Sequence, residues 1–196
     1  MDDVTEAIRV LKKGGIVIFP TDTAFGIGCR IDDEEAVKRL FRIRKRPENK
    51  AVPVLVSSLH MAQKYVQEIQ QDVVEKLIKP YWPGALTIVL ASRNDRVPEL
   101  VRGGTDTVGV RVPDHLTALA LINGVGVPLL GTSANFAGEA TPYAFEDLDE
   151  ELVKQVDYVV PGVCHVKQAS TVIDCTKKPW KILRPGYLDV RLKIED

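Results

Sequence analysis

The apolar residues of this chain change period again and again, and that switching limits its fold more than any other feature. Val4, Ala7, Ile8 and Leu11 recur at helical spacing, and Gly14-Gly15 ends the run. A continuous apolar stretch at 16–19 follows, read as a buried strand closed by Pro20. Helical spacing returns at Ala36, Val37, Leu40 and Phe41 after an acidic start at 32–35, where carboxylates suit the positive end of the helix dipole. Further strands are expected at 52–56, 85–91, 107–111, 127–130, 156–160, 171–174 and 181–183. Further helices are expected at 61–66, at 73–78 (stopped by Pro80) and at 115–122. Pro53 and Pro128 weaken two of the strands, because proline cannot donate to a ladder. Layered α/β structure follows from the alternation. Some neighbouring strands lie too close in sequence for a helical crossover, so a mixed sheet is expected rather than a parallel one.

The 196 residues carry no internal repeat and no low-complexity linker, which leads us to expect a single domain over 1–196. A 45% hydrophobic content is enough for a sizeable core and excludes a disordered or collagen-like chain. Lys and Arg number 26 against 27 Asp and Glu, so a globally basic nucleic-acid binder is not indicated. Cys29, Cys164 and Cys175 form no CxxC or CxxH pair, so neither a structural zinc nor a disulfide framework is expected. The acidic, amphipathic N-terminus is unlike a signal peptide, and apolar runs such as 125–130 are too short to span a bilayer. The expectation is a cytoplasmic protein with no membrane partner.

Five segments could carry chemistry. Residues 19–28 join a strand to a polar turn holding Thr21, Asp22, Thr23, Gly26 and Gly28; taken alone, it reads as an ordinary turn with locally satisfied side chains. Residues 38–50 hold seven cations (Lys38, Arg39, Arg42, Arg44, Lys45, Arg46 and Lys50) against the single acid Glu48. The helical half is compatible with a solvated basic helix end. The loop half around Pro47 has no helix to complement, which points to phosphate or nucleic acid. Arg111 ends an otherwise small and apolar strand, either as a surface residue or as an anion clamp. Thr132, Ser133 and Asn135 follow a strand end, where open α/β sheets place ligands. Ser133 is a poor candidate nucleophile, because His60, His115 and His165 sit in contexts that suggest no triad. The fifth segment comprises Ser170–Asp174 and Leu183–Gly186, which would not attract notice alone. The acid-rich stretch 135–152 reads as a loop with a solvated helix face.

Taken in order, PTDTAFGIG at 20–28, RKRPENK at 44–50, VGVRVP at 108–113, SANFAG at 133–138, STVID at 170–174 and LRPG at 183–186 are recognisable. The sequence resembles the YrdC/TsaC family of threonylcarbamoyl-AMP synthases over roughly residues 4–187, in its short form. Arg44 stands where that family usually has lysine, Phe25 where it often has tyrosine, and Ala137 where it often has serine.

The resemblance implies a twisted open mixed sheet around a concave cavity. It implies that L-threonine, ATP and bicarbonate (or carbon dioxide) give threonylcarbamoyl-AMP and pyrophosphate, with Mg2+ on the triphosphate and no protein metal ligand. It also implies that a separate complex transfers the threonylcarbamoyl group to adenosine in tRNA. By the same resemblance, Thr21, Arg111 and Ser170 would hold threonine. Arg44, Arg46, Lys50, Thr107, Ser133, Asn135, Thr141 and Arg184 would hold ATP, and no residue acts as a covalent nucleophile. Two alternatives stay open: an RNA-binding module of this fold, whose footprint would be the 38–50 cluster, and a nucleotide-binding paralogue without synthase activity.

Overall fold

The computed structural model describes residues 2–190. In chain order the helices are α1 (Asp3–Lys12), α2 (Glu34–Ile43), α3 (Leu59–Ala62), α4 (Gln71–Val73), α5 (Lys79–Tyr81), α6 (Glu99–Arg102), α7 (Leu116–Val125) and α8 (Glu150–Val153). The strands are β1 (Val17–Pro20), β2 (Phe25–Gly28), β3 (Val54–Leu55), β4 (Leu86–Ala91), β5 (Thr107–Arg111), β6 (Leu129–Leu130), β7 (Thr132–Ser133), β8 (Tyr158–Val159), β9 (Thr171–Asp174) and β10 (Lys181–Arg184).

The mixed α/β architecture holds, and the strands divide between two sheets. One has the order β7-β2-β1-β8, and the other β10-β9-β4-β5-β3-β6. Both are mixed: β1 pairs antiparallel with β2 and parallel with β8, while β5 pairs antiparallel with β4 and parallel with β3. The chain passes from one sheet to the other at Gly131, between β6 and β7. There the Leu130 amide donates to the Cys29 carbonyl and the Gly131 amide to the Pro53 carbonyl, both at 2.9 Å.

β1 is buried on both faces, which is why it reads as a continuous apolar run. Val17 and Phe19 pack with Ala7 and Leu11 of α1 and Ala118, Leu121 and Ile122 of α7. Ile16 and Ile18 belong to the larger core, with Val37, Leu40 and Phe41 of α2. Both long N-terminal helices are capped by aspartate: Asp2 accepts from the Thr5 amide at 2.7 Å, and Asp33 from the Ala36 amide at 3.0 Å.

Three local expectations change. The turn expected across 19–28 is tight, and the chain returns at once as β2. Gly28 allows this, since a Cβ there would lie 2.3 Å from the Leu130 carbonyl oxygen. The helix expected to stop before Pro80 continues to Tyr81, because a π turn over Val74–Ile78 precedes it. That turn leaves the proline in the first turn of α5, where no amide is required. Finally, β3 and β6 begin immediately after Pro53 and Pro128, so both prolines lie outside the ladder they seemed to interrupt.

Candidate functional site

A cavity opens where the two sheets meet. Its lining comes from strand ends and the loops beside them: Thr21 and Thr23 in the β1–β2 turn, Thr87 of β4, Arg111 at the end of β5, Thr132 and Ser133 of β7, Ser170 just before β9, and Arg184 at the end of β10. Arg46 from the loop after α2 and Thr141 complete the polar lining. Three arginines and seven hydroxyl-bearing residues therefore border one space, with no carboxylate among the lining residues. Such a lining favours an anion that also accepts several hydrogen bonds.

Arg111 is the most constrained of these groups. Its Nε donates to the Gly84 carbonyl at 2.9 Å and its Nη1 to Thr23 Oγ1 at 2.8 Å, while Nη2 pairs with Asp22 Oδ1. Burial pushes the Arg111 pKa down, against the attraction of Asp22. Of five N–H donors, three are used by the protein, which leaves two for a ligand. Ser170 Oγ lies 2.9 Å from Thr87 Oγ1, and Arg184 Nη2 donates to the Ser170 carbonyl at 2.8 Å. Arg46 donates to the carbonyls of Lys50 and Ala51, at 3.1 and 2.6 Å. Burial lowers the pKa of both Arg46 and Arg184, and no ion pair with a carboxylate balances either charge among the described residues. Thr21 lines the cavity, but its hydroxyl already donates to the Ala24 carbonyl at 2.7 Å, as a local turn reading requires.

Of the eleven residues to which the resemblance gives ligand roles, the cavity brings together seven: Thr21, Arg46, Arg111, Ser133, Thr141, Ser170 and Arg184. Four others lie outside the lining. Arg44 is buried behind β7, and Asn135 is buried beside it. Lys50 is exposed. Thr107 starts β5, four residues from Arg111 and so roughly 13 Å along the strand. The lining also includes Thr23 and Thr132, from segments that the sequence singled out without a ligand role, and Thr87, which it did not single out. Thr87 could have been found as the one polar side chain in an apolar strand core.

The basic run divides by environment. Lys38 pairs with Glu35 at 2.9 Å and Arg39 with Asp157 at 2.6 Å, while Arg44 and Arg46 turn inward. Arg42, Lys45 and Lys50 are exposed, and Lys45 lies 4.8 Å over the Phe136 ring. Thus only part of the charge is free to meet a polyanion from solvent. All three cysteines are buried and unbridged, and burial raises the Cys29 and Cys175 thiols, the latter to about 12. Among the described residues, no helix is long and apolar enough to cross a membrane.

The Sua5/YciO/YrdC family pattern, described as telomere recombination, matches residues 9–186. The chain belongs to this family. A threonylcarbamoyl-AMP synthase of Pyrococcus abyssi is 36% identical over 183 residues, covering 93% of this chain and 53% of the relative. An uncharacterised protein of Escherichia coli, YciO, is 31% identical over 189 residues, covering 96% of this chain and 91% of the relative. The crystal structure of P. abyssi Sua5 complexed with L-threonine superposes with a TM-score of 0.88 at 35% identity, over 93% of this chain and 54% of that one. The crystal structure of E. coli YciO gives 0.86 at 28% identity, over 97% and 92%. The chain therefore spans about half the length of the P. abyssi synthase and nearly all of YciO. In this chain each of the six recognisable segments supplies at least one residue to the cavity lining.

Proposed function

We propose that this chain is an L-threonylcarbamoyladenylate synthase, using L-threonine, bicarbonate or carbon dioxide, and ATP. The observation that carries the reading is the cavity lining of three arginines and seven hydroxyl-bearing residues without a carboxylate. Its support is the likeness to a Sua5 whose structure holds L-threonine.

In this reading the two spare N–H groups of Arg111 take the amino-acid carboxylate, while Asp22 and Thr23 hold the guanidinium in place. Ser170, tied to Thr87 and Arg184, supplies a hydroxyl at the same end. Arg46 and Arg184, whose charges no carboxylate balances among the described residues, face the phosphates. The threonine amine combines with bicarbonate to give a carbamate and water. A carbamate oxygen then attacks the α-phosphorus, and the bond to the β-phosphate breaks to release pyrophosphate. No covalent enzyme intermediate is needed; the chain aligns the small reactants and stabilises the phosphate charge.

Magnesium enters as part of the nucleotide substrate. In this reading the ion would be held mainly by nucleotide oxygens and water. The product is a reactive mixed anhydride, which a separate complex acting on adenosine in tRNA would consume.

The test is pyrophosphate release from magnesium-ATP, with and without L-threonine and bicarbonate. Release that requires threonine and falls when bicarbonate is withdrawn is the expected result. ATP binding with no release under any of these conditions would instead assign the chain to a nucleotide-binding role without synthesis.

A further inference from the structure

Thr87 is 3% exposed and is the one polar side chain of β4. The register fixes its direction. Ile88 lies opposite Val110 and Val89 opposite Gly109, so Thr87 shares a sheet face with Gly109 and Arg111. Leu86 and Ile88 point to the other face and join the larger core. On its second side β4 sets Thr87 opposite Val172 of β9, two residues beyond Ser170. Thr87, Arg111 and Ser170 all border the cavity, in keeping with that register. A Cβ on Gly109 would lie 3.2 Å from Thr87 Cγ2, so the methyl leans toward β5. The hydroxyl leans toward β9, where Oγ1 lies 2.9 Å from Ser170 Oγ.

The two hydroxyls can be counted atom by atom. Ser170 Oγ accepts from Arg184 Nη2 at 3.1 Å, and no further hydrogen bond to either hydroxyl is present among the described residues. Each hydroxyl has one proton and two lone pairs. One proton closes the contact between them and one is left over, whichever oxygen donates. Two lone pairs are also left over, after Arg184 and the internal contact have taken one each. The pair therefore offers a ligand both a donor and an acceptor. A carboxylate uses only the donor and an ammonium only the acceptors, whereas an alcohol uses both.

The pair also sits at the Arg111 end of the cavity. Arg111 Nε donates to the Gly84 carbonyl at 2.9 Å, and the Thr171 amide, next to Ser170, donates to the Ala85 carbonyl at 3.0 Å. Both groups thus hang on the two residues that lead into β4. An amino acid whose carboxylate rests on Arg111 carries a β-hydroxyl only one carbon beyond its Cα. We infer that Thr87 is a specificity-determining residue: with Ser170 it exchanges hydrogen bonds with the β-hydroxyl of the amino acid, and so selects β-hydroxy amino acids over their deoxy counterparts. The inference rests on the reading that this cavity takes an amino acid, and it adds a contact from the centre of the sheet.

The experiment is calorimetric titration of L-threonine and of L-2-aminobutyrate, which lacks only the hydroxyl, into the wild-type chain, Thr87→Val and Thr87→Ser. The wild type should bind L-threonine about a hundredfold more tightly, because a site built to bond a hydroxyl rejects the analogue that lacks it. Thr87→Val should weaken L-threonine about tenfold and leave L-2-aminobutyrate nearly unchanged, while Thr87→Ser should keep most of the preference. A structural role for Thr87 would weaken both amino acids alike in Thr87→Val, which overturns the inference. Loss of the preference in Thr87→Ser also overturns it. Should Thr87→Val not fold, Thr87→Ala makes the same comparison. The wild type decides without any variant: equal affinity for the two amino acids overturns the inference and leaves the amino-acid reading standing. Binding of neither amino acid would contradict that reading, and the inference with it.

Discussion

Arg111 gives three hydrogens to the structure, and the proposed reading gives the other two to the ligand. Asp22 accepts from it and is itself buried, with Oδ2 unpaired among the described residues. Replacing the arginine therefore leaves a buried carboxylate without its counter-charge, a change that costs roughly 3–5 kcal/mol. Arg111→Met should lower the thermal midpoint by about 6–20 °C, at roughly 2–4 °C per kcal/mol for a chain of this size. Adding Asp22→Asn to that variant should restore part of the loss, because the orphaned charge is then gone. Calorimetry of L-threonine binding reads the second duty: neither variant should recover affinity, since the carboxylate contact belongs to the guanidinium. Recovered threonine binding in the double variant would remove Arg111 from the amino-acid site.

At the scale of elements, the join between α2, β1 and β8 depends on one carboxylate. Asp157 precedes β8, accepts from the Ile16 amide at 2.7 Å and pairs with Arg39 of α2 at 2.6 Å. Burial raises its pKa, but the Arg39 and Ile16 hydrogen bonds outweigh that, and the net shift is downward. A carboxyl whose folded pKa is depressed contributes stability above its unfolded value, near 3.9, and loses it as pH falls through the folded value. Both side chains of the pair are more than a third exposed, so solvent screening holds the contribution to about 1 kcal/mol. Asp157→Asn should lower the midpoint by about 2–4 °C at pH 7. The gap should close as pH drops below the carboxylate range, and thermal melts from pH 7 to pH 2.5 follow it. A gap that persists at low pH would place the effect in packing rather than charge.

How far such elements can be read in advance depends on what forms them. β1, β4, β5 and β9 are long enough to show their burial as an apolar run, and α1 and α2 show helical spacing plus a capping aspartate. β2 is different. Its close approach to Leu130 and Phe19 is allowed by Gly28, a tertiary contact with no local signal. The cavity residues divide in the same way. Arg111, Ser170 and Arg184 stand out as polar groups at the ends of apolar strands. Whether a residue of the basic run faces the cavity, solvent or the interior depends on the turn after α2, where Lys45 adopts a positive φ of 51°. Charge pattern alone therefore placed Arg44 and Arg46 together, and the fold puts one behind the wall and the other on its lining.

Across the whole molecule the charges nearly cancel, at −1, yet the cavity collects arginines and excludes carboxylates. This asymmetry is made by two mixed sheets meeting at Gly131, which bring the ends of β5, β7 and β10 and the loop after α2 to one place. In the proposed reaction this place joins threonine, a one-carbon unit and the adenylyl group of ATP. The most direct test supplies carbon-13 bicarbonate, magnesium-ATP and L-threonine, and follows the products by mass spectrometry. The expected product is a threonylcarbamoyl-adenylate that carries the label, formed only when threonine is present. Unlabelled adenylate, or ATP consumption with no such product, would contradict it.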